Sequence, residues 1–267
     1  LIDWGHEVFV VDNLMLGKKE FVNKKAKFFK VDIRNLKKLK KIFRGAEAVF
    51  HLAADPRLPI SIEDPISTHE INVTGTLNVL LAAKDAGVKK VVFSSSCAIY
   101  GDQPVPISET AIPAPLSPYG LHKLIGEQYC RLFNSLFGLQ TVCLRYFNVY
   151  GSRKLPTGSY PMVIPVFLNQ RKHGEELTVV GDGKNTRDYI HVSDVVAANI
   201  SAWQSSIVDG SGINVGSGRQ VSVNEIAELI GGGVKFLPPR SGEMRFIEAN
   251  NIKARELLGW APTVKLE

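Results

Sequence analysis

The chain has 267 residues, of which 45% are hydrophobic and 22% are charged, and its formal net charge is +6. This length and composition are typical of a globular protein with a full core, and they exclude a disordered, fibrous or disulfide-rich small protein. No apolar run reaches the length of a membrane span and no signal peptide is recognisable, so we expect a cytoplasmic protein with no membrane partner.

The positive charge comes largely from lysine clusters. In the segment 36–43 apolar residues recur at helical spacing while lysines fall on the opposite face, which indicates a solvated helix face. No basic ribbon interleaved with aromatic residues accompanies it, so we expect no nucleic-acid partner. The three cysteines, Cys97, Cys130 and Cys143, have no metal-type spacing, which favours free thiols in a reducing compartment and no metal site.

Short β-branched runs alternate with helical patterns along the chain, and this alternation predicts a doubly wound α/β fold with a parallel sheet covered on both faces. The predicted strands lie at about 8–11, 27–31, 48–52, 90–94, 140–145 and 213–216. The predicted helices lie at about 35–43, 66–86, 118–137, 160–173, 193–205, 222–230 and 251–258. Asn35 and Ser117 are suited to cap two of these helices.

The alternation weakens after residue 150, where glycine, proline and charged loops become frequent. We therefore predict a nucleotide-binding domain over 1–150 and a mainly substrate-binding lobe over 151–267, laid over the carboxyl end of the sheet. The chain is expected to return to the sheet near 187–216, because 213–216 has the pattern of a buried strand.

The most informative segment is the serine run Ser94-Ser95-Ser96, which follows an apolar strand and precedes Tyr119 and Lys123. Tyr119 and Lys123 are four residues apart, so both side chains share one face of the predicted helix. A serine hydroxyl, a phenol and an ammonium together are able to remove a proton from an alcohol while a cofactor takes the hydride. We therefore predict that Ser96, Tyr119 and Lys123 are catalytic.

Beyond these residues the chain resembles the extended short-chain dehydrogenase/reductase family, and within it the nucleotide-sugar epimerases of the UDP-glucose 4-epimerase type. The segments that carry the resemblance are VVDNL at 10–14, VDIRN at 31–35, VFHLAA at 49–54, NVTGTLNVL at 72–80, SPYGLHK at 117–123, LRYFNVYG at 144–151, TRDYIHVSD at 186–194 and NVGSG at 214–218. The resemblance implies a Rossmann fold, NAD as cofactor, and epimerisation at carbon 4 of a UDP-hexose through a transient 4-keto sugar. It also implies a homodimer through the helices at about 66–86 and 118–137, whose apolar residues would equally suit a monomer core.

Two alternatives follow from the same resemblance. The family's 4,6-dehydratases carry an Asp-Glu pair directly after the catalytic hydroxyl residue, and here those positions hold Cys97 and Ala98; the glutamate of the decarboxylases is absent as well. A non-catalytic nucleotide-binding protein on this scaffold would typically lack the tyrosine or the lysine, and both are present.

The family begins with a strand and a glycine-rich turn that receives the cofactor pyrophosphate, and this sequence starts after that point. We expect the natural protein to carry these roughly twenty residues, because the strand would occupy the middle of the sheet.

The resemblance also implies the residues that bind NAD. An acidic residue at the end of the first strand, here Asp12, accepts hydrogen bonds from the adenosine ribose and disfavours a 2′-phosphate. For Asp12 a turn aspartate is the alternative, and for Asp32 a helix cap. The full predicted set is Asp12, Asn13, Asp32, Ile33, Leu52, Ala53, Ala54, Asn72, Ser94, Tyr119, Lys123 and Tyr146.

The predicted contacts to the UDP-sugar are Ser96, Asn148, Arg187, Arg240 and Glu243. A planar guanidinium suits a diphosphate, which supports the arginines, while surface ion pairs are the alternative interpretation. Gly75 is interpreted as a site of close helix packing and not as a ligand contact.

Overall fold

The computed structural model describes residues 1–153, 162–239 and 245–266. The strands are β1 (Phe9–Asp12), β2 (Lys27–Lys30), β3 (Ala48–His51), β4 (Lys90–Ser96), β5 (Gln140–Tyr146), β6 (Asn148–Tyr150), β7 (Leu177–Val180), β8 (Thr186–Arg187), β9 (Tyr189–His191), β10 (Asp209–Val215), β11 (Val221–Ser222) and β12 (Val234–Leu237). The α-helices are α1 (Leu36–Ile42), α2 (Leu58–Glu63), α3 (Pro65–His69), α4 (Gly75–Asp85), α5 (Pro118–Phe137), α6 (Val163–Lys172), α7 (Val192–Gln204), α8 (Val223–Ile230) and α9 (Ile252–Leu258).

The centre of the molecule is a four-stranded parallel sheet in the order β3-β4-β5-β10. Its two middle strands are almost continuously buried, as expected for parallel strands covered on both faces. Alternate residues of β4 serve opposite faces: Val91 and Phe93 join the core beneath α4 and α5, and Val92 joins the core beneath α7. The predicted doubly wound α/β fold is confirmed.

Strands β1 and β2 form a separate parallel pair, in which Phe9 lies opposite Lys27 and Asp12 opposite Lys30. Within the described residues this pair is not hydrogen-bonded to the four-stranded sheet. The basic helix that follows, α1, buries Leu39 and exposes its lysines, which confirms the interpretation of a solvated face. The side chain of Asn35 accepts a hydrogen bond from the backbone N–H of Lys38, so the predicted cap is present.

The helix predicted over 66–86 is present over 65–85. It consists of α3, a π-helical stretch over Glu70–Thr74, and α4. Gly75 begins α4 at the point where the helix meets Ile33, and a Cβ at Gly75 would lie 2.5 Å from the Ile33 Cδ1 atom. Its interpretation as a residue of close packing is therefore confirmed.

The later part of the chain contributes both to the sheet and to a second set of small pairings. β10 pairs with β5 in the central sheet, whereas β7 pairs with β12, β8 with β11, and β6 with β9. Residues of α6, β7 and α8 share a separate apolar core. The sequence predicted β10 and a strand around His191, which is β9, but missed β6, β7, β8, β11 and β12, which are short and have partners distant in the chain.

Candidate active site

Helix α5 carries the predicted base, and its first turn is fixed from two directions. Ser117 caps the helix by accepting a hydrogen bond of 3.2 Å from the Gly120 N–H. The N–H of Tyr119 donates to the Ser61 Oγ at 3.2 Å, and Ser61 comes from α2 after the β3 strand. Two of the N–H groups that a helix start leaves without intrahelical partners are thereby used, and Tyr119 is held over the carboxyl end of the sheet.

Helix α5 carries the Tyr119 phenol close to the side chain of Ser96, at the end of β4. Burial raises the pKa of Tyr119 to about 12, and the proximity of Ser96 opposes that effect only in part. At neutral pH this phenol is protonated.

Lys123 is buried one turn further along α5. Its Nζ atom donates a hydrogen bond of 2.6 Å to the Ser94 carbonyl oxygen and lies 5.1 Å from the centre of the Phe93 ring. Burial lowers the pKa of Lys123 to about 8, so the ammonium form predominates at neutral pH. An ammonium has three donors, and the position of this one fits both a ribose hydroxyl and a phenolate.

The ends of β1 and β2 bring three predicted cofactor residues together. The Asp12 Oδ1 accepts a hydrogen bond of 2.6 Å from the Leu14 N–H, and the Asn13 Nδ2 donates to the Asp32 Oδ2 at 2.9 Å. Gly17 leaves space beside the other Asp12 oxygen, since a Cβ there would lie 2.9 Å from Oδ2. A carboxylate that accepts hydrogen bonds, beside a glycine that leaves space for a ligand, suits the ribose hydroxyls of NAD.

The carboxylate of Asp32, unlike that of Asp12, forms an ion pair with another side chain of the protein. The Arg34 guanidinium forms a bidentate pair with it, with both N···O distances at 2.9 Å, and holds the Asp32 pKa well below its usual range. Ile33 is buried in the core against Gly75. For these two residues the side chains have structural partners, and the cofactor role predicted for them stays a prediction.

The segment after β3 presents small, partly exposed residues at the carboxyl edge of the sheet. Ala53 and Ala54 are half-buried and Leu52 is exposed. The Asn72 amide, in the π-helical stretch, accepts from the Asp55 N–H at 2.7 Å and donates to the Asp55 carbonyl at 3.0 Å. Asn72 therefore holds the shape of this segment, and its predicted place near the cofactor remains a prediction.

The end of β5 places Tyr146 and Asn148 on the same edge. The Tyr146 hydroxyl donates to the Asn199 Oδ1 at 2.9 Å, and burial raises the pKa of Tyr146 to about 12. The backbone N–H and the side-chain amide of Asn148 both donate to the Asp188 carbonyl oxygen, at 3.0 and 3.3 Å. Hence Asn148 is anchored to the backbone of Asp188, the residue between β8 and β9.

Arg187 is half-buried in β8, and its guanidinium donates to the Thr186 carbonyl oxygen at 2.8 Å. Arg240 and Glu243, the other predicted nucleotide contacts, lie outside the described residues. The neighbouring carboxylate of Asp188 is fully buried and accepts hydrogen bonds from the Ser217 N–H and hydroxyl, the Gly218 N–H and the Ala249 N–H, at 2.6 to 3.0 Å.

Sequence reasoning missed a buried charged cluster beside the predicted catalytic residues. Glu127 lies four residues beyond Lys123 on α5, and its carboxylate contacts both Ser95 of β4 and Arg145 of β5. The signal available in the sequence was the spacing 119, 123, 127, which continues the face of the helix that carries the site.

Within residues 1–153, 162–239 and 245–266, no helix combines the length and apolar character needed to cross a bilayer. In the same part of the chain no group of three or more histidine, cysteine, aspartate or glutamate side chains has the geometry of a metal site.

Residues 1–216 match the model of the NAD dependent epimerase/dehydratase family. The chain belongs to this family. A UDP-glucose 4-epimerase of Mycolicibacterium smegmatis is 37% identical to it, over 98% of this chain and 88% of that protein. The family assignment makes NAD the cofactor and agrees with the Rossmann-like sheet.

Two solved structures are closely similar. The UDP-glucose 4-epimerase of Thermotoga maritima with UDP-glucose has a TM-score of 0.94 and 39% identity, covering 99% of this chain and 88% of that one. The UDP-N-acetylglucosamine 4-epimerase of Methanobrevibacter ruminantium has a TM-score of 0.92 and 33% identity, covering 96% and 85%. Epimerases acting on different UDP-sugars therefore share this fold.

Proposed function

We propose that the protein catalyses the NAD-dependent epimerisation at carbon 4 of a UDP-hexose of the glucose/galactose type. The observation that carries the proposal is the group of Ser96, Tyr119 and Lys123, in which Ser96 lies close to the phenol and the buried ammonium lies one helical turn away, 5.9 Å from the centre of the phenol ring. These groups are the ones that proton removal from a secondary alcohol requires.

In this proposal Tyr119 takes the proton of the sugar 4-hydroxyl, and Ser96 holds that hydroxyl in line with the phenol. NAD, when bound, supplies a hydride acceptor and a positive charge near the phenol. Because burial raises the Tyr119 pKa, proton removal depends on positive charge, to which Lys123 contributes. The 4-keto sugar turns in the pocket, and Tyr119 returns the proton after hydride reaches the opposite face.

The nucleotide part of the substrate is assigned to the residues at the ends of β5 and β8. Asn148 is half-buried just after β5, where its backbone and side chain are anchored to Asp188, and the half-buried Arg187 suits the diphosphate. Arg240 and Glu243 are included in this proposal from their resemblance to family positions.

Two observations weigh against the alternatives. A dehydratase needs an acid and a base beside Ser96, but Ala98 has no such group and burial raises the pKa of the Cys97 thiol to about 12. A non-catalytic binding protein has no need for the buried lysine, whose burial lowers its pKa and destabilises its charged form.

We also propose a homodimer in the cytoplasm. Of the helix residues considered for a dimer, Val79, Leu80 and Phe133 belong to the monomer core, whereas the Leu132 side chain is 49% exposed. An open groove of about 910 Å³ lies nearby along α3 and α5; its lining includes Ile66, Pro115, Leu116 and Leu121. Unpaired Cys97, Cys130 and Cys143 suit a reducing compartment.

The test is conversion of UDP-galactose to UDP-glucose with added NAD, with UDP-N-acetylgalactosamine as a second substrate. Tyr119→Phe should lower kcat by about 10²-fold or more, because it removes the general base. Tyr129→Phe, a half-buried phenol on the same helix, is the matched control and should keep the wild-type rate. Turnover that survives in Tyr119→Phe would contradict the proposed mechanism. Conversion of UDP-N-acetylgalactosamine without conversion of UDP-galactose would contradict the proposed substrate.

A further inference from the structure

Glu127 is a carboxylate in an unusual position for a helix residue, because only 1% of its surface is exposed. It follows Tyr119 and Lys123 at successive intervals of four residues, so the three side chains lie along one face of α5. That face packs against the end of β4, where the serine run is located.

The carboxylate is engaged on both oxygens. The Arg145 guanidinium donates to Oε1 through Nε at 2.9 Å and to Oε2 through a terminal nitrogen at 2.7 Å. The Ser95 hydroxyl donates to Oε1 at 2.6 Å. Such a bidentate, charge-assisted arrangement has a narrow range of geometry, so it restricts where Glu127 lies relative to both strands.

Consecutive residues of β4 are thus tied to consecutive turns of α5. The Ser94 carbonyl accepts from Lys123 and the Ser95 hydroxyl donates to Glu127, while Ser96 lies close to the Tyr119 phenol. A slide of the helix along the strand would break both hydrogen bonds together.

Close packing makes this arrangement sensitive to small shifts. A Cβ at Gly126 would collide with the Phe93 ring, and one at Gly120 would collide with the Ala98 carbonyl oxygen. On β10, a Cβ at Gly212 would lie 2.5 Å from the Arg145 Cζ atom. The helix therefore lies directly on the strand, and the Arg145 guanidinium fits only because its neighbour lacks a side chain.

The same cluster continues across the sheet. A terminal nitrogen of Arg145 donates to the Tyr100 hydroxyl at 2.8 Å, and that hydroxyl donates to the Asn214 Oδ1 at 2.6 Å. The ends of β4, β5 and β10 are therefore joined to α5 through one connected set of polar side chains. A buried ion pair is weak evidence for stability, since apolar residues of similar volume often stabilise as much.

We infer that Glu127 is a positioning residue, whose carboxylate fixes α5 along β4 and thereby sets the distance from Tyr119 and Lys123 to the reacting sugar. This inference rests on the proposed epimerase function. Because a displacement of about 1 Å lowers rates by up to about 10²-fold, loss of the carboxylate should reduce turnover more than substrate binding.

The test compares Glu127→Gln and the double variant Glu127→Leu/Arg145→Met with Gln128→Ala, an exposed control on the same helix. The double variant removes both charges, so it should fold with a thermal midpoint near that of the wild type. We expect both Glu127 variants to lose about 10-fold or more in kcat for UDP-galactose, with KM changed less than about threefold, and the control to be unaffected. A folded double variant with wild-type kcat would overturn the inference.

Crystal structures of the wild type and Glu127→Gln provide a readout that does not depend on turnover. The inference requires the hydrogen bond from Lys123 to Ser94, 2.6 Å in the wild type, to lengthen or break in the variant. An unchanged bond would overturn it, even where the double variant does not fold. If the wild type converts no UDP-hexose, the proposed function fails, and this bond still decides the role of Glu127.

Discussion

The Nζ atom of Lys123 lies 5.9 Å from the centre of the Tyr119 ring. The same atom is tied to the backbone of β4 through the carbonyl of Ser94. The ammonium is therefore held at a fixed place beside the phenol, with donors remaining for another partner. This relationship is the basis of the first two predictions.

Replacing Lys123 with methionine should lower kcat/KM for UDP-galactose by about 10²-fold or more, because the charge that favours the phenolate is lost. The fold should be retained, since an apolar side chain replaces a buried charge. Steady-state kinetics with circular dichroism would measure both effects. A folded Lys123→Met protein with the wild-type rate would show that the ammonium has no role in turnover.

The pH dependence of activity should reflect the same lysine. Burial lowers the pKa of Lys123 to about 8, so its positive charge is present below that pH and is lost above it. We expect kcat/KM to fall as the pH rises through about 8, and this fall to be missing from the residual activity of Lys123→Met. A profile that stays level to pH 10 would contradict the prediction.

Gly120→Ala should impair the site through packing. The added Cβ would meet the backbone oxygen of Ala98, which is unable to rotate away, so the first turn of α5 must move from the end of β4. The expected cost is about 1 to 3 kcal/mol of unfolding free energy, together with a lower kcat. Gly233→Ala is the control, because its nearest neighbour, at 3.4 Å, is the flexible Glu176 side chain. Equal effects of the two substitutions would refute the packing explanation.

Acid should destabilise the protein before its carboxylates are protonated. Burial lowers the pKa of His51 to about 3 and that of His122 to about 4, from an ordinary value near 6.5. The unfolded chain therefore binds more protons below pH 6.5, and the free energy of unfolding should fall by about 1.4 kcal/mol per pH unit for each histidine between pH 6.5 and 4. Urea unfolding across this range measures the slope.

His122→Leu should make the fall in unfolding free energy per pH unit smaller by the contribution of one histidine. The buried Nδ1 atom of His122 has no hydrogen-bond partner within the described residues, so the substitution breaks no bond of that atom. His173→Leu, which changes an exposed histidine, is the control. The same slope in both variants would show that His122 does not cause the acid sensitivity.

Asp12 should govern the choice of cofactor. Asp12→Asn removes the charge that disfavours a 2′-phosphate, so we expect weaker NAD binding by about tenfold and a smaller preference over NADP. Fluorescence titration with both cofactors measures the ratio, and Asp3→Asn, which changes an exposed carboxylate, controls for net charge. An unchanged ratio of NAD to NADP affinity would show that Asp12 only stabilises the turn after β1, through its hydrogen bond from the Leu14 N–H.

The sheet and most helices were predictable because the apolar periodicity of this chain is strong. The runs around Val91 and Val142 are buried on both sides, and the pattern around Leu39 has a single apolar face. The π-helical stretch within the helix over 66–86 was not predictable, since it changes backbone hydrogen bonding without changing the apolar pattern. Helix α2 was missed because it spans only Leu58–Glu63 and has Pro59 in its first turn, which leaves no clear helical pattern in the sequence.

At the site, the spacing of Tyr119 and Lys123 was sufficient to indicate a shared face. Glu127 continues that spacing, but a glutamate on a helix is usually exposed, and its partners Ser95 and Arg145 lie far away in the chain. The upward shift of the Tyr119 pKa also required the structure, because burial of the phenol is a tertiary property.

The carboxylate of Asp188 has a consequence for how the molecule opens. It joins the turn after β10 to the Ala249 backbone, while its own carbonyl holds Asn148. The segments around Asp188 and Ala249 are unable to detach from the turn after β10 while these hydrogen bonds persist. Hydrogen exchange at Ser217, Gly218 and Ala249 should therefore occur through a single cooperative opening, and a protease should find no separable half to release.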